Sequence, residues 1–219
     1  MAKVLPVPSD PQASFFVPIV DLVRRGGLLA VGTESSYALA ASVSVPHALD
    51  RVVQAKGRPS GKPLLVLIGE RGQFDSLADS VPSWVRAMVD EFWPGPLTVI
   101  VPAQTGVPAV LTAGTGTIGL REPAPAFLRS LLQYTGPLTG TSANRSGQAP
   151  CLTAEAVEAA LGQDVDLILD TGPASGNRPS TLLSVVDEPA ILRAGPVSVE
   201  EIQRVLSKIG LLVPVRGLP

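Results

Sequence analysis

Lys56-Gly57-Arg58 and Ser142-Ala143-Asn144 set two cations and two neutral hydrogen-bonding side chains at turns where helices and strands meet. Groups of this kind hold phosphate and hydroxyl oxygens, and neither triplet pairs a nucleophile with an evident base. Further cations, Lys62, Arg121, Arg145, Arg178 and Arg193, fall at predicted element boundaries, which is where open α/β sheets place ligands. Taken singly, each reads as a solvated surface charge. As a set they suit a polyphosphate, because guanidinium forks grip phosphate oxygens in pairs and lysine adds a mobile point charge. Thr33, Ser142, Asn144 and Ser180 supply neutral hydrogen bonds for a small polar substrate.

Other chemistries find less support. No Gly-x-x-x-x-Gly-Lys-Ser/Thr phosphate loop is present, and Gly114-Thr115-Gly116-Thr117-Ile118-Gly119 precedes a predicted strand where a dinucleotide fingerprint would follow one. His47, the single histidine, sits in the first turn of a predicted helix and reads as a solvated or helix-packed ring. Cys151 enters a helix through Ala149-Pro150 and, with no base in view, reads as a buried structural thiol.

Composition narrows the class. With 219 residues, 45% of them hydrophobic, the chain can bury one substantial core. Lys plus Arg number 17 against 19 Asp plus Glu, so the net charge of -2 gives no global pull toward nucleic acid or anionic lipid, and an anion site must be local. One cysteine excludes an internal disulfide framework and a four-thiolate zinc site, and no carboxylate cluster suggests a metal cage. Met1-Ala2-Lys3-Val4 lacks the apolar run of a signal peptide, and runs such as Leu97 to Val101 are too short to span a bilayer, so a cytoplasmic protein without membrane contact is expected.

These residues must be held by alternating strands and helices. Helices are predicted over Ser14 to Arg25, Pro46 to Gly57, Ser83 to Phe92, Ala126 to Tyr134 and Thr153 to Leu161. A last helix runs from the Ser198/Glu201 capping box to about Ser207. Strands are predicted over Leu28 to Val31, Leu64 to Ile68, Leu97 to Val101, Thr117 to Arg121, Leu138 to Thr141, Asp166 to Leu169 and Thr181 to Val186. The alternation favours an α/β fold with a mixed sheet. The Pro-rich ends, Met1 to Pro11 and Leu211 to Pro219, read as poorly ordered.

Five blocks carry a resemblance. Gly32-Thr33-Glu34-Ser35-Ser36-Tyr37-Ala38-Leu39, Ala55-Lys56-Gly57-Arg58-Pro59-Ser60-Gly61-Lys62-Pro63-Leu64 and Phe92-Trp93-Pro94-Gly95-Pro96-Leu97-Thr98 come first, followed by Ser142-Ala143-Asn144-Arg145-Ser146-Gly147 and Leu192-Arg193-Ala194-Gly195. In order and spacing they resemble the YrdC-like threonylcarbamoyl-adenylate synthase family over about residues 14 to 206. The first block carries Gly32 and Ala38 where the family usually has Pro and Gly, and Lys62 and Leu67 stand where many relatives have Asn and His. The resemblance implies a YrdC-like single domain over residues 12–208 with tails 1–11 and 209–219. Its fold would be a twisted mixed parallel and antiparallel sheet with flanking helices and a central concave site.

The implied activity is formation of threonylcarbamoyl-AMP and pyrophosphate from L-threonine, bicarbonate and ATP, for N6-threonylcarbamoyladenosine modification of tRNA. Thr33, Arg121, Ser142 and Ser180 would hold threonine, with Arg121 on its carboxylate, and Lys56, Arg58, Thr117, Asn144 and Arg193 would line the ATP site. Lys56 and Arg58 would neutralise charge during the adenylation, together with a Mg²⁺ ion held mainly by ATP phosphates. Transient contact with the threonylcarbamoyl-transferase machinery and tRNA is implied as well. Two rival readings remain. A YciO-like or carbamoyl-transfer enzyme of other specificity is disfavoured by Ser142-Ala143-Asn144, a triplet that YciO-like proteins lack. A non-catalytic RNA-binding module is disfavoured by the 4% aromatic content and the negative net charge.

Overall fold

The computed structural model describes residues 1–58, 61–176, 178–186 and 188–211. Its first half runs β1 (Lys3–Pro6), α1 (Ala13–Arg24), β2 (Leu29–Gly32), β3 (Tyr37–Ala40), α2 (Pro46–Lys56), β4 (Val66–Leu67), α3 (Arg71–Leu77), α4 (Ser83–Phe92) and β5 (Leu97–Pro102). There follow α5 (Ala109–Thr112), β6 (Thr117–Arg121), α6 (Ala126–Thr135), β7 (Leu138–Thr139), β8 (Thr141–Ser142), α7 (Ala154–Leu161), β9 (Leu167–Asp170), β10 (Thr181–Ser184), β11 (Ala190–Arg193) and α8 (Val199–Lys208). The expected mixed α/β architecture is present as two sheets. One has the strand order β1-β9-β2-β3-β8, the other β11-β10-β5-β6-β4-β7, and both combine parallel and antiparallel pairs.

Period-two alternation explains both sheets. In the five-stranded sheet Leu29, Val31, Leu167 and Leu169 face a core shared with Phe16, Ile19 and Val23 of α1 and Leu128, Leu131 and Leu132 of α6. Ala30 and Ile168, one residue out of phase, face the larger core with Leu49 and Val52 of α2. Both faces are covered, which is why these strands read as unbroken apolar runs. The six-stranded sheet packs one face into the larger core, and on its other face only the β4–β7 end, through Leu67 and Leu138, reaches the smaller core. Leu97, Val99, Val101, Ile118, Leu120 and Leu183 enter the larger core, whereas Thr98, Ile100, Thr117, Gly119, Arg121, Leu182 and Ser184 line a cleft.

Two differences from the sequence expectations matter for the site. The predicted strand Leu138 to Thr141 is two short strands, β7 pairing with β4 and β8 pairing with β3 in the other sheet. Gly140 is the switch: a Cβ there would lie 2.4 Å from Leu67 Cγ and 2.9 Å from Leu65 Cδ2, so only a bare backbone passes between the sheets. Residues 1–11, expected as a tail outside the domain, supply β1, a parallel edge strand on β9 with Lys3 opposite Leu167 and Pro6 opposite Asp170. The prolines that suggested disorder close an edge strand, a position where the missing N–H is tolerated. At the other end Ile209 and Leu211 donate backbone hydrogen bonds to Leu206 at the close of α8, and residues 212–219 of the second expected tail lie outside the described residues.

Candidate functional site

α2 begins with Pro46 in its first turn, where the absent N–H would have had no helical partner, and stops at Gly57 in the left-handed region, φ +55°. The Gly57 N–H donates to Gln54 O and the Arg58 N–H to Val53 O, a Schellman-type ending that turns the chain sharply. The two cations flanking Gly57 therefore part company. Lys56 is turned inward, 3% exposed, and its ammonium donates to the carbonyls of Ser142 and of Asn144, the latter at 3.0 Å. Arg58 reaches the cleft, with Nη2 on Pro63 O at 2.9 Å and Nε on Lys62 O at 3.3 Å.

The cleft encloses about 1140 Å³ between the open face of the six-stranded sheet and the β2–β3 turn with β8. Its described lining brings together Arg58, Lys62, Arg121, Arg178 and Arg193 and includes no Asp or Glu. Burial lowers the pKa of Arg58 and of Arg193. Burial, and then the neighbouring Arg193, lowers that of Arg121 to about 10. All three guanidinium groups are drawn out of water, and Arg193 beside Arg121 adds like-charge repulsion, an arrangement that an incoming anion relieves. Leu64, Leu65, Ile100 and Leu182 add apolar surface to the same cleft.

A smaller cavity of about 400 Å³ adjoins it and shares Ser35, Arg121, Arg178 and Ser180 with the main cleft. There Arg121 donates from Nε to Gly95 O at 3.1 Å and from Nη2 to Glu34 Oε1, with its side chain 6% exposed. Ser180 and Arg193 lock together: Nε and Nη2 of Arg193 donate to Ser180 O at 3.1 and 2.9 Å, and Nη2 also donates to Ser180 Oγ at 3.2 Å. Ser180 Oγ is also hydrogen-bonded to Thr98 Oγ1 at 2.8 Å.

The nine residues expected from the sequence divide accordingly. Thr33, Arg58, Thr117, Arg121, Ser142, Ser180 and Arg193 all line the cleft. Thr33 does so as the builder of a turn, since its hydroxyl donates to Ser36 O at 2.7 Å and accepts from the N–H groups of Ser35 and Ser36. Lys56 and Asn144 do not line it. Lys56 stands behind the wall as described. Asn144, 6% exposed, donates from Nδ2 to Arg145 O and Gln148 O, both at 2.8 Å, and pins the loop after β8. Arg121 and Ser180 are as deeply buried yet line the cleft, so what sets Lys56 and Asn144 apart is that their donors are spent on backbone carbonyls behind the wall, which residue type does not report. Arg145 is also drawn away, to Asp164 at 2.9 Å and Ala55 O at 3.2 Å. His47 is exposed, with Nε2 3.4 Å from Arg25 O, and Cys151 is buried with its thiol donating to Ala156 O, in keeping with a solvated ring and a structural thiol.

Sequence reasoning gave no role to Glu34, Ser35, Thr98 or Thr115. Glu34 carried a signal, as a carboxylate inside the first recognisable block. Thr98 and Thr115 act by pairing with Ser180 and Thr117, partnerships that only the fold creates. Among the described residues no group of three or more His, Cys, Asp or Glu side chains gathers as a metal site, and no helix is long and apolar enough to cross a membrane.

Comparison with known proteins places this architecture. The family model Sua5/yciO/yrdC, described as "Telomere recombination", matches residues 21–195. The chain is 33% identical over 197 residues to the threonylcarbamoyl-AMP synthase of Pyrococcus abyssi, covering 89% of this chain and 58% of that protein. It is 34% identical over 201 residues to a putative threonylcarbamoyl-AMP synthase of Mycobacterium tuberculosis, covering 90% of this chain and 93% of that protein. The chain thus spans less than two thirds of the P. abyssi relative and nearly all of the mycobacterial one. Among solved structures, P. abyssi Sua5 complexed with L-threonine superposes with a TM-score of 0.90 at 29% identity, over 98% of this chain and 63% of that one. Escherichia coli YciO superposes with a TM-score of 0.82 at 26% identity, over 92% of this chain and all of that one. By the extent of the model match and the identity over most of its length, the chain belongs to the Sua5/YciO/YrdC family.

Proposed function

We propose that the protein is a nucleotidyltransferase that joins L-threonine, bicarbonate and ATP into threonylcarbamoyl-AMP, releasing pyrophosphate. The observation that carries this reading is the cleft itself, cationic along its described lining and sharing Arg121 with a side cavity lined by the Glu34 carboxylate. A polyanion fits the first and a zwitterion the second. The names of the relatives and the threonine found in P. abyssi Sua5 support the same pairing.

In this reading Arg58, Lys62, Arg178 and Arg193 meet the triphosphate, the apolar surface at Leu64 and Leu65 takes the purine, and Arg121 takes the threonine carboxylate. Ser142 and Ser180 complete the threonine contacts with neutral hydrogen bonds. Lys56 and Asn144 shape the wall from behind. The threonine ammonium gives up a proton to solvent, the neutral amine forms a bond to the carbon of bicarbonate, water leaves, and a carbamate oxygen attacks the α-phosphorus with pyrophosphate departing. No protein nucleophile is needed, because the side chains position the reactants and spread the developing charge. A Mg²⁺ ion accompanying ATP would be held by phosphate oxygens and would add further charge neutralisation, which fits a lining without carboxylates. The product would serve tRNA modification in the cytoplasm through contact with a threonylcarbamoyl-transferase. Incubation with ¹³C-bicarbonate, ATP and threonine should yield a labelled threonine–AMP conjugate by mass spectrometry. Its absence while another amine is carbamoylated would favour a YciO-like specificity, a reading supported by the superposition over the whole of YciO.

A further inference from the structure

Glu34 is held in an unfinished arrangement. Oε1 accepts from Arg121, yet Oε2 is buried and has no hydrogen-bond partner. A carboxylate oxygen removed from water without a donor is a costly thing to leave in a fold. This one belongs to a residue that lines the smaller cavity beside Ser35, Arg178 and Ser180. The backbone around it is fixed, since Ser175 Oγ donates to Glu34 O and the Thr33 turn anchors the preceding residue. Only the side chain is free to change its partner.

We propose that Glu34 holds Arg121 until an α-amino acid arrives, then yields Arg121 to the substrate carboxylate and receives the substrate ammonium. The inference rests on the amino-acid reading above and deepens it. An amino acid carries an anion and a cation on one carbon, and the Arg121–Glu34 pair presents the complementary charges in one cavity. The exchange turns one buried ion pair into two and strands no charge: one carboxylate leaves the guanidinium, another replaces it, and the released carboxylate finds an ammonium. A 2-hydroxy acid delivers the carboxylate but no cation. It would strand Glu34 without a partner, so Glu34 selects amino acids over hydroxy acids through the group beside the carboxylate.

The test is calorimetric binding of L-threonine and of 2,3-dihydroxybutanoate, in which a hydroxyl replaces the amine, to wild-type protein and Glu34→Gln. Threonine should bind the variant about ten- to a hundredfold more weakly, while the hydroxy acid binds equally well or more tightly, because no carboxylate competes for Arg121. The readout is the ratio of the two affinities, which a general loss of packing would not move. If melting curves show that Glu34→Gln does not fold, the ratio in Glu34→Asp carries the test, and it should fall because the shorter side chain cannot reach both partners. A ratio unchanged from wild type in a folded variant overturns the role of Glu34 and leaves the amino-acid reading standing. Failure of wild-type protein to bind threonine overturns that reading and this inference together.

Discussion

Replacing Lys56 by methionine separates two roles for a cation at this position. A ligand contact would be lost with the fold intact, whereas a support behind the wall would be lost with stability. In the structure the ammonium is 3% exposed and donates to two carbonyls of the strand and loop that carry Ser142 and Asn144. Each hydrogen bond from a charged donor contributes about 1.5–3 kcal/mol, and methionine would leave both carbonyls without it. Against this stands the penalty of burying the charge. Burial and then Arg58 lower the Lys56 pKa from 10.5 to about 8, a gap worth roughly 3 kcal/mol. Methionine escapes that penalty, so the net loss should be up to about 3 kcal/mol, or up to about 12 °C in melting temperature for a domain of this size. Arg58→Ala should behave oppositely. Its donors rest on two carbonyls of a turn at the cleft mouth, so stability should change by less than about 1 kcal/mol, while loss of a phosphate contact lowers adenylation about ten- to a hundredfold. Thermal melts of both variants, with pyrophosphate release measured beside them, read the difference. A Lys56→Met protein that melts like wild type and loses activity as Arg58→Ala does would refute the reasoning and return Lys56 to the ligand.

The same burial has a pH signature: because the folded pKa of Lys56 lies below 10.5, the unfolded chain holds more protons between about pH 8 and 10.5, and the stability of wild type relative to Lys56→Met should rise across that window. Melting curves of the pair at pH 7 and pH 10 check the sign, and a constant or shrinking difference contradicts it. Gly140→Ala should cost about 1–3 kcal/mol and displace β8, since its Cβ would meet Leu67 and Leu65, and a variant with wild-type melting and threonine affinity would show that the sheets can part there. Thr33→Ser should retain near-wild-type threonine binding because the hydroxyl keeps its turn, whereas Thr33→Val should weaken it about tenfold by loosening the backbone that presents Glu34; equal behaviour of the two in a binding titration would remove the hydroxyl from that role.

What was legible in the chain was local. α4, β6, the Gly57 ending of α2 and the Ser198–Glu201 capping box of α8 sit where Pro, Gly and capping residues announce them, because those signals act within a few residues. β1, β3, β11, α3 and α5 escaped notice because each is short, and β1 also finds its ladder partner, β9, far along the chain. β7 and β8 read as one strand because the decision to change sheets depends on how closely Leu67 and Leu65 approach Gly140. The site divided in the same way. Arg58, Arg121, Arg193, Ser142 and Ser180 line the cleft as cations and hydroxyls at element boundaries are expected to, and Thr117, implied by the resemblance alone, lines it too. Lys56 was grouped with Arg58 because two cations either side of a glycine look alike until the helix ending turns one inward. Glu34 was passed over because a lone carboxylate among cations reveals its purpose only when its unpaired oxygen and its guanidinium partner are both in view.

Joint use of the cleft and its side cavity is most directly tested by pyrophosphate release from ATP, measured with threonine, bicarbonate, both or neither. Release should require both, fall when valine replaces threonine because hydroxyl partners are left unpaired, and fall by about tenfold to a few hundredfold with serine. Release that proceeds at the same rate without threonine, or equally with threonine and valine, would contradict it.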